Sequence, residues 1–389
     1  MATGMRTTLT DTTAQKRVVS DFVSMIDPME IPTINLFGLD NEGKFRFVNT
    51  PGTTYEWIED ALSPTSDQLA EALDASETGV DVDNAGYFHM GDVIQIDSEY
   101  SWVSAISIDA GLNTGTLTVT RGFGGTTAAT HSDNTAVNIR SNARLEGAES
   151  SEGHSTAKTA PYNYAQILHE EVKASRTARI TKQYGIADEY DYQLRKKFSG
   201  LGGGKGRKGN SGEILIKLDK AAFYGKRVLR TASVPGSMGG LDVFITTNVT
   251  ALASASLTQK NVEDSIQTAW SYGGMPNTLI CGGWVKRKLT SFYSGSVRTE
   301  RREDMGGMSI DTVVTEFGEL NIVLNRHCPT GTLYIVDKNR IGWITLDPFF
   351  HEELAKTGDY MRGQIVGEYG FVVENEKAHA IISGISTST

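Results

Sequence analysis

Apolar residues recur at every second position between residues 91 and 140, and at every third or fourth position between 186 and 222. That change of period divides the chain. In the first stretch, GDVIQID and SEYSWVSAISID alternate, with Ile94 and Ile96 on one face and Trp102, Ser104 and Ile106 on another. TGTLTVT places Leu117 and Val119 together, and TAVNIRS does the same for Val137 and Ile139. Turn residues separate the runs: Gly91-Asp92, Gly111-Leu112-Asn113, Gly122 to Gly125 and Ser132-Asp133-Asn134. Short strands at this spacing predict a small all-β sandwich or barrel over 79–146. It is an insertion if the segments that flank it pair with each other.

The helical period comes later. Ile186, Tyr190, Leu194 and Phe198 share one helix face, with Asp188 as N-cap. SGLGGGKGRKGNSG then puts seven glycines between Gly200 and Gly212. Each costs a helix about 1 kcal/mol relative to alanine, so the helix breaks there. It is expected to resume at Ser211, bury Leu215, Leu218 and Ala222, and stop at Gly225. Tyr164 to Tyr184 is β-branched and polar, which favours extended structure, with a helix over QILHEEVKAS as the alternative.

From 241 the pattern is α/β. LDVFITT, NTLIC and TLYIVD read as strands. A helix starts at Leu257-Thr258, with a cap and a staple from Leu257 to Val262, and buries Val262, Ile266, Ala269 and Trp270 before Gly273-Gly274 ends it. Val285, Leu289 and Phe292 predict a second helix. IDTVVTEFGELNIVLN should be a hairpin about Phe317-Gly318. At the end, DPFFHEELAKTGDY reads as a turn and short helix, followed by the strands RGQIVGEYGFVVE and HAIISGI about Asn375-Glu376-Lys377. At the start, DFVSMI is a helix candidate, and INLFG and FRFV are short strands in an extended arm. TTYEWIED is a strand, and Leu62, Leu69, Ala72 and Leu73 form a helical stripe weakened by Pro64.

Composition narrows the function. A chain of 389 residues, 39% hydrophobic and 22% charged, is long enough for two or three domains. No run of about 20 apolar residues predicts a membrane span, and the N-terminus lacks the apolar core of a secretory signal. Beginning at Met1, the chain is expected to carry no cleaved N-terminal scaffold segment. A net charge of −10 argues against a sequence-reading nucleic-acid binder. Cys281 and Cys328 have no metal-ligand spacing and read as small buried thiols.

Candidate chemistry is sparse. Counted back from Gly204-Lys205, a phosphate loop would need Gly at Ser199 and Ser or Thr at Gly206, and both positions fail. Lys205, Arg207 and Lys208 are left as a flexible basic loop capable of nonspecific phosphate contacts. Arg121-Gly122-Phe123-Gly124-Gly125 reads as a tight hairpin and not as an arginine-glycine box. Histidines 89, 131, 154, 169, 327, 351 and 379 show no ligand spacing. The mixed loop Arg298, Glu300, Arg301, Arg302, Glu303 and Asp304 is a solvated loop or, in a symmetric assembly, an inter-subunit pairing element. Asp359 and Glu368, with Arg362 between them, read as structural ion pairs or interface groups. No catalytic residue, metal or cofactor is expected.

PYNYAQILHEEVKASRTA (161–178), YGIADEYDYQ (184–193), GGMPNTLICGGWVKRKL (273–289) and LAKTGDYMRGQIVGEYGFVVENEKAHAIISGI (354–385) stand in an order that resembles the HK97-like major capsid proteins of tailed phages. More narrowly it resembles the SU10-type major head protein family. GDVIQID…LTVTRGFGGTTAATH (91–131) is similar to β modules carried by such subunits. The resemblance implies an α+β HK97-like fold with an inserted small all-β domain. It implies an N-terminal arm at 1–48, an extended loop at 49–78 and 147–175, and the insertion at 79–146. A peripheral domain with a spine helix would take 176–235 and 345–389, and an axial domain 236–344. The implied function is a non-enzymatic major capsid protein. It would assemble with itself as hexamers and pentamers into an icosahedral shell around double-stranded DNA, in the host cytoplasm and then the virion. Scaffold, portal and decoration proteins are implied partners, with no membrane. The family's spine is continuous, whereas glycines 200–212 interrupt this one; Lys205, Arg207 and Lys208 are therefore expected to face packaged DNA. Two alternatives stand beside this reading: a virion surface or binding protein using the β module, and a hydrolase with a fused β domain.

Overall fold

The computed structural model describes residues 31–38, 47–109, 113–148, 157–183, 186–198, 212–293 and 312–387. They form two compact units, one of 1–57 with 161–389 and one of 58–160.

The first unit opens with helix α1 (Pro32–Gly38), strand β1 (Phe47–Asn49) and strand β2 (Thr54–Glu56). INLFG is thus helical and not a strand. Pro32 holds the first helical position, where its missing N–H costs nothing, and Ile31, Ile34 and Phe37 fall on one buried face. The chain returns from the second unit as β9 (Tyr162–Tyr164), which pairs antiparallel with β2. The flanks of the insertion therefore do pair.

The second unit contains β3 (Ser66–Gln68), β4 (Gly79–Val82), β5 (Asp92–Ile96), β6 (Glu99–Ile108), β7 (Gly115–Thr120) and β8 (Ala136–Asn142). Their order is β3-β8-β5-β6-β7-β4. Leu69 just after β3 bridges to Val82 of β4, so the two edges meet and the sheet closes on itself. Leu69 and Leu73 are not on a helix. Both sit in β-bridges and fill this unit's core with Val80, Phe88, Ile94, Ile96, Leu117, Val119 and Val137, while Leu62 is almost fully exposed. In β6 the buried positions are Glu99, Ser101 and Val103, the face opposite to Trp102. A register shift between Val103 and Ala105 then brings Ile106 against the core. The expected face of Trp102, Ser104 and Ile106 is therefore split by a bulge.

Back in the first unit, β10 (Gln166–Ser175) is extended, as the β-branched pattern favoured, and α2 (Arg176–Ile180) follows. Helix α3 (Glu189–Lys197) is capped by Asp188, whose side chain accepts from Tyr190 N–H. Helix α4 (Glu213–Tyr224) follows Gly212 and ends at Gly225. The expected cap Ser211 lies outside the described residues. Tyr190 is buried, and Leu194 and Phe198 pack against the same core. LDVFITT holds the short helix α5 (Leu241–Phe244) where a strand was expected.

The remaining elements are β11 (Val249–Ala251), α6 (Gln259–Ser271), β12 (Thr278–Cys281), α7 (Gly283–Tyr293), β13 (Thr312–Thr315), β14 (Gly318–Leu324), β15 (Leu333–Val336), β16 (Ile341–Glu353), β17 (Tyr360–Val373) and β18 (Ala380–Ser383). Thr258 caps α6 by accepting from Asn261 N–H, and Leu257 and Val262 share a buried cluster, as the staple predicts. β13 and β14 form the expected hairpin. DPFFHEE is strand and not helix: β16 runs through Pro348 by way of two register shifts, between Thr345 and Asp347 and between Asp347 and Phe350. A proline is tolerated where a bulge removes the need for its N–H.

Two sheets organise this unit, ordered β1-β16-β17-β10 and β11-β18-β15-β12-β14-β13. Alternation along β12 splits the core. Leu279 and Cys281 face α6 and α7, whereas Ile280 joins Tyr334, Val336, α4 and α5 on the other face. The same second core takes in α1, Trp343, Ile365 and Phe371 from the four-stranded sheet.

Candidate functional site

Two groups of residues singled out from the sequence, Lys205, Arg207 and Lys208, and Arg298, Glu300, Arg301, Arg302, Glu303 and Asp304, lie outside the described residues. The anchor of the first group is visible. A side chain at Gly212 would collide with the Lys197 carbonyl and come within 2.9 Å of Phe198 Cα. Gly212 therefore lies directly against the end of α3 at Lys197 and Phe198. Only glycine, without a Cβ, permits that approach. The junction is pinned by charge: Lys197 Nζ lies 2.8 Å from Glu170 Oε2 and 3.8 Å from Glu213 Oε2. Lys217 also pairs with Glu170. Burial works against the Glu170 carboxylate, but the two lysines hold its pKa below the usual range.

Asp359, Arg362 and Glu368 are not brought together as one site. Arg176 Nε reaches Asp359 Oδ1 at 2.9 Å, Arg362 Nε reaches Glu171 Oε1 at 2.9 Å, and Arg230 Nη2 reaches Glu368 Oε2 at 3.1 Å. These pairs tie α2, β10 and the 226–238 segment to β17, which is the structural role expected of them.

Arg121 is a core residue and not a nucleic-acid contact. Its guanidinium binds both oxygens of Glu99 and donates to the carbonyls of Asp74, Glu77 and Ala129. Gly122, Gly124 and Gly125 all have positive φ, so the following turn needs glycine. Burial would raise the Glu99 pKa, but Arg121, the Ala129 N–H and His131 outweigh it and bring it down to about 2. His131 was not singled out by spacing. It is buried with Nδ1 2.8 Å from Asp97 Oδ2 and Nε2 3.1 Å from Glu99 Oε2.

Other titratable groups are equally committed. His379 Nδ1 accepts from Asp337 N–H and its Nε2 faces the Glu374 carbonyl, so it is a neutral core residue. Burial pushes its pKa down to about 4. Burial pushes the Cys281 thiol up to about 12, and that of Cys328 upward as well. Both are free buried thiols, unsuited to nucleophilic chemistry. Among the described residues no group of three or more His, Cys, Asp or Glu could hold a metal ion. No helix among them is long and apolar enough to cross a membrane.

Among the described residues several large apolar side chains are exposed. In the first unit Trp270 and Tyr272, at the end of α6, and Met275 beyond it are more than half exposed; Trp270 therefore lies off the buried face of α6 on which the periodicity puts it, and it packs on Phe317 in a tilted arrangement with ring centroids 5.7 Å apart. Val314 on the edge strand β13 is 79% exposed. Tyr224, Leu229 and Val234, at the end of α4 and in the segment after it, are also exposed. Large exposed apolar side chains in clusters mark surfaces that meet another protein. Sequence patterning missed them because it assigns such residues to a core by default.

Comparison with known proteins agrees with this picture. The family model described as "SU10 major capsid protein" matches residues 6–386. No match was found among the curated proteins. Among solved structures, the cyanophage A-1(L) capsid asymmetric unit is similar with a TM-score of 0.58 and 9% identity, covering 98% of this chain and 100% of that one. The capsid of an empty GTA particle gives a TM-score of 0.54 and 8% identity, with the same coverage of each chain. At such identities the likeness concerns the fold, and that fold is HK97-like.

Proposed function

The chain belongs to the SU10 major capsid protein family, and from that premise we propose that it closes its shell as hexamers and pentamers around double-stranded DNA. Its role is that of a shell-forming structural subunit of a tailed phage, with its place in the virion capsid. The single observation that carries this is the family match across residues 6–386. The exposed apolar clusters support the multimeric reading, because a closed symmetric assembly supplies a partner for every such surface.

The division of labour expected from the sequence is part of the proposal. The arm (1–48), the extended loop (49–78 and 147–175) and the inserted β domain (79–146) would reach neighbouring copies or the outer face. The peripheral domain (176–235 and 345–389) would form the wall, and the axial domain (236–344) the rotation axes. Scaffold, portal and decoration proteins and assembly in the host cytoplasm belong to the same reading.

Electron microscopy of the purified recombinant chain tests it. Uniform shells or ring-shaped capsomers are expected, and a stable, compact monomer at every concentration would overturn it. The DNA-facing loop has a separate test. Replacing Lys205, Arg207 and Lys208 with alanine should alter assembly or the length of genome packaged, and no change in either removes that part.

A further inference from the structure

Asn163 is fully buried at the place where the chain leaves a sheet. β10 pairs with β17 from Ser175–Tyr360 up to Gln166–Tyr369, and there the ladder stops. One residue earlier the backbone has changed partner. Ala165 N–H donates to the Thr53 carbonyl at 2.8 Å, and β9 runs on along β2. The β2–β9 ribbon belongs to neither sheet of the first unit, and the whole second unit is spliced between its two strands. With three residue pairs it is too short to hold a direction in water by itself.

The Asn163 side chain takes over where the ladder ends. Nδ2 donates to the Phe371 carbonyl of β17 at 2.6 Å and to the Gly239 carbonyl at 3.0 Å. Oδ1 accepts from Gly239 N–H at 2.8 Å and from Tyr164 N–H at 2.9 Å. A carboxamide has two N–H groups and two acceptor positions, and here all four are used. The amide gives to and receives from Gly239 as the peptide group of a neighbouring strand would. It also satisfies a β17 carbonyl past the point where the backbone has departed. The ribbon, the 226–240 connection between α4 and α5, and β17 thus meet on one side chain.

The contacts around it are less directional. Trp57 packs on Ile344 and Val372, with its ring centroid 5.6 Å from that of Phe244. Arg227 is exposed, lies over the Tyr162 ring at 4.3 Å from its centroid, and donates to the Tyr162 carbonyl at 3.0 Å. Apolar burial holds the ribbon down without fixing its path, because that attraction has no preferred direction. Four hydrogen bonds converging on a buried amide do have one.

We infer that Asn163 is the positioning residue that fixes the path of the β2–β9 ribbon on the first unit, and that a subunit joins its neighbours only with the ribbon so fixed. The second half rests on the shell-forming reading above; the first half does not.

Two variants test it. Asn163→Asp keeps the shape but loses both donors and sets a negative charge against two carbonyls. Asn163→Ala removes the amide altogether. In hydrogen–deuterium exchange of the full chain, kept dilute and unassembled, peptides covering 53–57, 162–165 and 236–240 should exchange about tenfold faster or more in either variant, the scale of a lost buried hydrogen bond, while β12 and β15 are unchanged. Ribbon peptides that exchange in Asn163→Asp as they do in the unsubstituted chain overturn the inference. So does an unsubstituted ribbon that exchanges as fast as the exposed 231–234 turn, a comparison that decides alone should neither variant fold. By electron microscopy both variants should lose most of the shell yield, and yields equal to the unsubstituted chain's overturn the second half. If the unsubstituted chain itself forms no shells, the shell-forming reading fails, and exchange still decides the role of Asn163.

Discussion

Arg121 grips Glu99 through two contacts, Nε to Oε1 at 2.5 Å and Nη2 to Oε2 at 2.7 Å, with both side chains buried in the β unit. Removing one partner leaves the other charge stranded. Arg121→Ala should cost about 3–5 kcal/mol in local stability. Arg121→Lys should recover only part, because a point charge cannot reproduce the fork. Limited proteolysis of the full chain would show early cleavage within 58–160 while peptides of the first unit keep their resistance.

The same pair sets an acid limit. Glu99 is held at about 2 when folded, below the ordinary carboxylate value of 4.5. Its contribution is present above that ordinary value and is lost as pH falls toward 2. Exchange protection of β5 and β6 should therefore decline between those limits, and Glu99→Gln should flatten the decline while lowering protection at neutral pH.

His379 fails at a milder pH. Its folded value is depressed to about 4 from 6.5, so its contribution is present above 6.5 and is lost as pH falls through 4. That depression corresponds to roughly 3 kcal/mol. Amides of β18 should lose protection in this window, ahead of β5 and β6.

Gly363 in β17 has no room for a side chain. An added Cβ would collide with Tyr190 Oη and lie 2.7 Å from His351 Nε2. Gly363→Ala should cost about 1–3 kcal/mol by overpacking. Tyr190→Phe removes the obstructing oxygen, along with its 2.9 Å contact to His351. The double variant should therefore lose less than the two single losses added, as measured by thermal unfolding.

Thr258 is the N-cap of α6, accepting from Asn261 N–H at 3.2 Å. Thr258→Ala should cost about 1 kcal/mol, while Thr258→Ser or Thr258→Asp should keep most of the cap. Equal stability of all three by denaturant titration would show that the end of α6 is held by its staple alone.

Several elements could be read from the chain because their determinants are local. Thr258 with Leu257 and Val262 announces α6. Asp188 with Tyr190, Leu194 and Phe198 announces α3, and Phe317-Gly318 announces the β13–β14 hairpin. The misreadings share a cause. INLFG, DPFFHEE and the Leu69/Leu73 stripe are short apolar runs in which helix and strand periods fit nearly equally well. α1 became a helix over the Asp219 carboxylate, β16 ran through Pro348 because β17 was there to pair with a bulge, and Leu69 extended because Val82 closed the sheet.

By itself the sequence determined the all-β insertion, the interrupted helix pair and the α/β core with its capped helices. It also determined the family, whose pattern spans 6–386. These rest on periodicity, caps and turn chemistry, which act within a few residues. Only the tertiary structure decided that Arg121 answers Glu99 across 22 residues and that Asp219 answers Thr33 across 186. It also decided that Gly212 packs against Lys197 and Phe198 so closely that no Cβ fits. A buried charge or a Cβ-free contact takes its meaning from whatever the fold places beside it, and no local pattern in the chain encodes that neighbour.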